Sequence, residues 1–119
     1  MENLAHFRLE RRGNVQVLHF SDRQLLDRGL LVEVQDELLA YLDAARPAFV
    51  LLSFIEVRQL SSEGVNTLLQ ARRTVAAYGG QLRLSDLHPE IERLFSILKL
   101  EGTVFRIYGS KADALAALA

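Results

Sequence analysis

Two adjacent serines, Ser61 and Ser62, are the residues whose type and position best suit chemistry or recognition. They follow an apolar run over residues 48–55 and open a helical pattern that stops at the pair Gly79 and Gly80. A hydroxyl at such a strand-to-helix junction can cap the helix, accept a phosphoryl group or contact a partner. The reason is that the first N–H groups of a helix are unpaired and electropositive. The function of the chain depends on which of these uses applies.

The rest of the sequence does not support nucleophilic catalysis by these serines. A catalytic serine needs a base within reach and a third group that orients the base. The chain has no cysteine and three histidines, His6, His19 and His88, and none shows the spacing of a triad or of a metal site. The motifs G-x-S-x-G and G-x-x-x-x-G-K-[ST] are also absent. We therefore expect a protein that is not an enzyme and that holds no metal and no cofactor.

A purely structural use of the serines has to be weighed against a functional one. A serine at a helix start stabilises the helix by about 1 kcal/mol, and Glu63 complements the positive end of the helix dipole. The same position would accommodate a phosphoserine without unfolding the helix. Spacing alone favours the cap and leaves the phosphate site and the partner contact open.

The composition is that of an ordinary globular chain. It has 119 residues, half of them hydrophobic, and a formal net charge of -1 with both signs spread along the sequence. This length predicts a single domain over residues 1–119. The charge balance argues against direct nucleic-acid binding, and no apolar run approaches the roughly 20 residues of a membrane span. Since the N-terminus lacks a signal pattern, we expect a cytoplasmic protein.

Hydrophobic periodicity predicts an α/β fold. Strand patterns flank Gly13 and Asn14, a turn signal that predicts an antiparallel N-terminal hairpin, and a polar stretch over 21–24 follows. Strands and helices then alternate, with helices over 29–45, 62–78, from 89 and after 110, and strands over 50–55, 81–84 and 104–108. The uniformly apolar strand over 50–55 is typical of a central parallel strand. The pattern predicts a single-layer mixed sheet of about five strands with about four helices.

The same periodicity predicts the core faces and ends of the helices. Gly79 suits the C-terminal cap of the second helix, Pro89 the first position of the third, and Ser110 the start of the last. The predicted core residues are Val34, Leu38, Tyr41, Leu42 and Ala45, then Val65, Leu68, Leu69, Val75 and Ala76, then Ile91, Leu94, Phe95 and Leu98.

These elements resemble the STAS domain, the family of anti-sigma factor antagonists. The matching features are the buried strand over 50–55, the serine turn over 60–64, the helix closed by Gly79-Gly80, and the segments 82–84, 86–95, 98–100 and 104–108. The N-terminal hairpin and the helix that contains Leu38 and Leu39 fit as well. The resemblance therefore covers nearly the whole chain and implies the STAS fold.

The resemblance also implies a role for each residue of the turn. The family pattern is Asp-Ser-Ser/Thr-Gly, in which a partner kinase phosphorylates the first serine. Alignment through Gly64 puts Ser62 at the phosphoserine position, Ser61 at the position of the Asp and Glu63 at the second hydroxyl. Ser62 is thus the first phosphorylation candidate and Ser61 the second. The chain departs from the pattern by lacking the Asp and by carrying a charge at Glu63.

The function implied by the resemblance is a non-enzymatic binding switch. The unphosphorylated domain would bind a kinase-type anti-sigma factor, and a phosphate on the serine would block that contact. The partner-binding candidates are Arg58, Ser61, Ser62, Glu63, Asn66 and Thr67. We expect Asn66 and Thr67 to be exposed because they lie off the apolar stripe of their helix.

Two alternatives to the switch stay open on the sequence alone. One is a constitutive scaffold of the same fold, in which Glu63 supplies a permanent negative charge. The other is a module that binds a small anion, lipid or nucleotide. In each case we expect a monomer or a weak homodimer.

Overall fold

The computed structural model describes residues 3–118, which form a five-stranded mixed sheet and a separate two-stranded sheet. Four helices accompany the seven strands of these described residues. In chain order the elements are β1 Phe7–Arg12, β2 Val15–Phe20, β3 Gln24–Leu25, α1 Arg28–Ala45, β4 Phe49–Ser53, β5 Gln59–Leu60, α2 Ser62–Ala77, β6 Gln81–Ser85, α3 Pro89–Ile97, β7 Ile107–Tyr108 and α4 Lys111–Leu118.

The five-stranded sheet has the order β1-β2-β4-β6-β7. Strands β1 and β2 pair antiparallel through a turn in which Gly13 has a φ of 60°, so the predicted hairpin is confirmed. All other pairs of this sheet are parallel. Strand β4 lies at its centre and its residues 50–53 are buried, as its uniformly apolar sequence predicts.

The two faces of the sheet are covered unequally. The larger core lies under α1 and α2, where Leu18 and Leu52 of the sheet meet buried side chains of both helices. The opposite face carries a smaller cluster in which Val17 and Leu51 pack against Ala114 of α4. In chain order, the carboxyl ends of β2, β4 and β6 lead into the segments that precede α1, α2 and α3.

The predicted helix-end signals at Gly79, Pro89 and Ser110 are confirmed, and the structure adds the N-cap Asp27. Asp27 and His88 accept hydrogen bonds from backbone N–H groups of the first turns of α1 and α3, and Pro89 is the first residue of α3. The Ser110 hydroxyl does the same for α4 by accepting from the Asp113 N–H at 3.1 Å. Gly79 follows α2 with a φ of 85°, which suits the predicted glycine cap.

The two-stranded sheet is a feature that the sequence pattern missed. Gln24, in the polar stretch, pairs in parallel with Gln59, and Leu25 pairs with Leu60. The Arg58 N–H donates to the Arg23 carbonyl oxygen at 2.8 Å just before the pair begins. A strand of two residues is too short to produce an alternating pattern, so periodicity could not reveal it.

Two strands of the parallel series, β4 and β7, are shorter than predicted. Strand β4 stops at Ser53, and Ile55 is exposed. Strand β7 contains only residues 107–108, because a turn at Gly102 precedes it and Phe105 turns inward against Phe95, with ring centroids 5.7 Å apart. The predicted strand over 104–108 was therefore too long.

Three residues of the predicted helix faces are exposed, namely Ala45, Ala76 and Leu98. Ala45 and Ala76 lie in the last turns of α1 and α2, and Leu98 lies just beyond the last residue of α3. The other predicted core residues are buried or half-buried.

A charged cluster ties α4 to the N-terminal hairpin. Glu10 Oε1 lies 2.8 Å from Nε2 of the buried His19 and 3.0 Å from Nζ of Lys111, the first residue of α4. The hydrogen bond from His19, opposed by partial desolvation and aided by Lys111 and Arg12, lowers the pKa of Glu10 from 4.5 to about 2. The carboxylate is thus held ionised at the junction of β1, β2 and α4.

Candidate functional site

Ser61 is the N-cap of α2. Its hydroxyl accepts a hydrogen bond from the Gly64 N–H at 3.2 Å, and its own N–H donates to the Leu25 carbonyl oxygen at 3.1 Å. The residue therefore joins the helix start to the two-stranded sheet. The capping interpretation of the sequence is correct for this serine.

Ser62 differs from Ser61 in its surroundings. It is the first residue of α2 and is exposed. Among the described residues, no group hydrogen bonds with its hydroxyl. The two adjacent serines are thus separated into a capping hydroxyl and an exposed, unpaired hydroxyl at the positive end of the helix dipole.

Gly64 allows the first turn of α2 to lie directly on the two-stranded sheet. A Cβ at this position would overlap the Leu60 side chain and would lie 3.3 Å from the Leu25 carbonyl oxygen. Gly64 is buried and has an ordinary negative φ, so close approach rather than backbone conformation explains the glycine. This contact fixes the position of the serine turn relative to β3 and β5.

An open groove of about 440 Å³ runs between the N-terminal half of α1 and the first turns of α2. Its lining consists of Arg28, Leu31, Val32, Gln35, Asp36, Ser62, Glu63, Asn66 and Thr67. We call this surface the serine groove. The structure thus brings Ser62, Glu63, Asn66 and Thr67 together on one surface and adds a wall from α1.

Glu63 connects the two walls of the serine groove. Its Oε2 lies 3.6 Å from Nε of Arg28, and both side chains are more than half exposed. An exposed pair of this kind contributes little to stability. Its importance lies in placing one positive and one negative charge beside the free hydroxyl of Ser62.

Thr67 lies on the floor of the groove rather than on its surface. The prediction that it is exposed was wrong, because only 3% of the residue is accessible. Its hydroxyl donates a hydrogen bond to Oε1 of Gln35 at 3.2 Å and so links α2 to α1. Asn66 is exposed, as predicted.

Arg58 lies outside the serine groove. It is exposed in the segment before β5 and lines a different groove, together with residues of α3. Ser61, the N-cap residue directly before Ser62, does not line the serine groove. Four of the six predicted contact residues therefore share one surface, and Arg58 is not part of it.

The wall formed by α1 was missed by the sequence reasoning. It consists of Arg28, Leu31, Val32, Gln35 and Asp36. Hydrophobic periodicity predicted the buried stripe of α1. It did not predict that the adjoining side of this helix faces the first turns of α2. The available signal in the sequence was Val32, an apolar residue that lies off the predicted stripe of α1. In the structure Val32 is 54% exposed.

The three histidines serve local structure. His6 Nδ1 lies 2.8 Å from Asp22 Oδ2, His19 contacts Glu10, and His88 caps α3. None of them lines the serine groove. Within residues 3–118, no three His, Cys, Asp or Glu side chains cluster in a way that could hold a metal ion.

Comparison with known proteins identifies the family. The STAS domain model matches residues 6–114, so the chain belongs to the STAS domain family. No curated protein matches the chain significantly. The resemblance carried by the serine turn and the order of elements is thereby confirmed.

Solved structures agree on the fold. A putative anti-sigma factor antagonist from Thermotoga maritima has a TM-score of 0.82 at 15% identity, with 95% of this chain and 94% of that chain covered. A STAS domain protein from Planctomyces limnophilus has a TM-score of 0.79 at 21% identity, with 98% and 100% covered. The Bacillus cell fate determinant SpoIIAA in its phosphorylated form has a TM-score of 0.69 at 18% identity, with 95% and 99% covered. These likenesses confirm the predicted STAS architecture.

In the described part of the chain, no helix has the length and apolar character needed to cross a bilayer.

Proposed function

We propose that this STAS domain is a regulatory module that binds a kinase-type anti-sigma factor through the serine groove and is switched off by phosphorylation of Ser62. The observation that carries the proposal is the separation of the two serines. The Ser61 hydroxyl is engaged in the helix cap, whereas the Ser62 hydroxyl is exposed on the groove. A kinase can therefore modify Ser62 without removing the cap.

Phosphorylation at Ser62 would change the charge of the groove more than its shape. The lining carries one positive charge, on Arg28, and two negative charges, on Asp36 and Glu63. A phosphoryl group adds about -1.5 to -2, while the positive end of α2 accommodates it without unfolding the helix. A partner surface that packs on the unmodified Ser62 hydroxyl would then have to bury and desolvate this charge beside Glu63 and Asp36, which weakens its binding.

The partner surface that we propose spans both walls of the groove. Glu63 and Asn66 provide exposed polar contacts on α2. On α1, Arg28 and Asp36 provide charged contacts and Val32 provides an apolar one. Thr67 and Ser61 support the surface from within. Arg58, expected from the sequence to be a contact, lies on a separate face.

The experiment that tests this proposal is a quantitative pull-down from the native host with three baits. These are the wild-type protein, Ser62→Asp and the uncharged control Ser62→Ala. The proposal predicts that wild type and Ser62→Ala retain the same kinase-type partner and that Ser62→Asp loses it. Retention of that partner by Ser62→Asp would contradict the switch.

A constitutive scaffold is the second candidate, and the ion pair between Arg28 and Glu63 favours it. Glu63 gives the groove a permanent negative charge beside Ser62, so added charge would change less than in a neutral site. In this case Ser62→Asp retains the partner, whereas Glu63→Gln weakens its binding. The expected cytoplasmic location and the monomeric or weakly dimeric state stay predictions.

A further inference from the structure

A second groove lies between β5 and α3. Its volume is about 330 Å³. Its lining consists of Leu26, Arg58, Gln59, Leu60, Glu90, Ile91, Arg93, Leu94 and Ile97. We call it the α3 groove, and none of its residues lines the serine groove.

The α3 groove exposes large apolar side chains to water. Ile97 is 69% exposed and Leu26 is 43% exposed, and both are among the most exposed large hydrophobic residues of the described chain. Leu60, Ile91 and Leu94 add to the apolar lining of the same groove. Scattered single residues of this kind are ordinary on protein surfaces, but several around one concave site are typical of a docking surface.

The charges around this apolar lining are mainly positive. Arg58 stands on the β5 side and Arg93 on the α3 side, and both are exposed, whereas Glu90 is the only acidic residue of the lining. The local excess of positive charge contrasts with the net charge of -1 of the whole chain. It also contrasts with the serine groove, where acidic side chains outnumber Arg28.

We propose that the α3 groove docks an amphipathic helix of a partner protein, with an apolar stripe flanked by acidic side chains. The apolar stripe would cover Ile97 and Leu26, and the acidic flanks would pair with Arg58 and Arg93. This follows the helix-in-groove mode of recognition, in which burial supplies affinity and charge supplies selectivity. The proposal concerns a surface separate from Ser62 and does not depend on phosphorylation.

A pair of synthetic peptides tests the proposal on the full chain. Each peptide has about four helical turns and the same leucine stripe, flanked by glutamates in one and by lysines in the other. Binding is followed by NMR titration of the isotope-labelled protein. We expect the glutamate peptide to bind at least about tenfold more tightly than the lysine peptide, with the largest shifts at Leu26, Leu94 and Ile97.

Three variants make the result specific. Ile97→Ser should abolish binding of the glutamate peptide, whereas Ile55→Ser, an exposed apolar control outside the groove, should retain it. Arg58→Glu/Arg93→Glu should reverse the preference toward the lysine peptide. All of these positions are exposed, so the variants are expected to fold, and circular dichroism checks this.

Several results would overturn the proposal. Equal binding of both peptides, binding of neither, or shifts centred on the serine groove would each do so. Self-association of the wild-type protein that Ile97→Ser abolishes would show that a second copy occupies the groove instead. Loss of the Ser62 switch in the pull-down would leave the peptide result unaffected, so the two proposals fail separately.

Discussion

The Ser61 hydroxyl accepts a hydrogen bond from the Gly64 backbone N–H at 3.2 Å. This bond occupies one of the two serines that a kinase could modify. The exposed hydroxyl of Ser62, which lines the serine groove, is the phosphorylation site that we propose. The structure therefore assigns different consequences to substitutions at two adjacent and chemically identical residues.

Ser61→Ala should lower the free energy of unfolding by about 1 kcal/mol, because it removes the side-chain cap of α2. Ser62→Ala should change it by less than about 0.5 kcal/mol, since the exposed hydroxyl has no partner to lose. Urea unfolding of both variants beside the wild type measures the difference. Equal losses at the two positions would contradict the assignment of Ser61 as the cap.

Gly64→Ala should destabilise the protein by about 1–3 kcal/mol, because the added methyl group would overlap the Leu60 side chain. In a Leu60→Ala background the same substitution should cost less, since the overlapping side chain is gone. A double-mutant cycle from urea unfolding measures this coupling. If Gly64→Ala costs the same in both backgrounds, the contact with Leu60 is not the cause.

Thr67→Val should lower the free energy of unfolding by about 1 kcal/mol, because it deletes the hydrogen bond to Gln35 while keeping the shape of the side chain. Asn66→Ala, one position earlier and exposed, should have little effect on stability. Thermal or urea unfolding of the two variants provides the measurement. A larger loss at Asn66 than at Thr67 would reverse the assignment of the buried and exposed positions.

Glu10 should make stability depend on pH at the acidic end. Its pKa is lowered in the folded state from 4.5 to about 2, so the unfolded chain binds a proton more readily between these values. The contribution is complete above about pH 4.5 and is lost as the pH falls toward 2. It amounts to at most about 3.4 kcal/mol, and solvent screening of the cluster reduces this value.

Glu10→Gln should remove this part of the pH dependence, and Glu33→Gln, at an exposed position of α1, should retain it. Urea unfolding at several pH values between 2 and 6 (roughly the range over which such a carboxyl titrates) provides the curves. A Glu10→Gln variant that loses stability on acidification as steeply as the wild type would show that other carboxyl groups dominate.

Local signals predicted most of the fold. Gly13 and Asn14 marked the hairpin turn, and the uniformly apolar sequence of β4 marked the central strand. Gly79 and Pro89 marked the end of α2 and the start of α3. Each of these features is determined by a few neighbouring residues, so it can be predicted from the sequence without the structure.

The features that the sequence missed depend on contacts between distant segments. The pairing of Gln24 with Gln59 joins two segments too short to show a period. The burial of Thr67 arises because α1 packs beside α2 and covers a flank that the α2 stripe alone does not show. The wall of the serine groove formed by Arg28 and Val32 has the same origin.

The central claim is tested most directly by the affinity of the purified kinase-type partner for two forms of the protein, unmodified and phosphorylated at Ser62. Phosphate should be mapped to Ser62 by mass spectrometry, and Ser61→Ala should be phosphorylated at the same residue. Binding measured by calorimetry should then weaken by at least about tenfold on phosphorylation, because the partner would have to desolvate the added charge beside Glu63 and Asp36. Phosphate at Ser61 instead, or equal affinity of the two forms, would contradict the account.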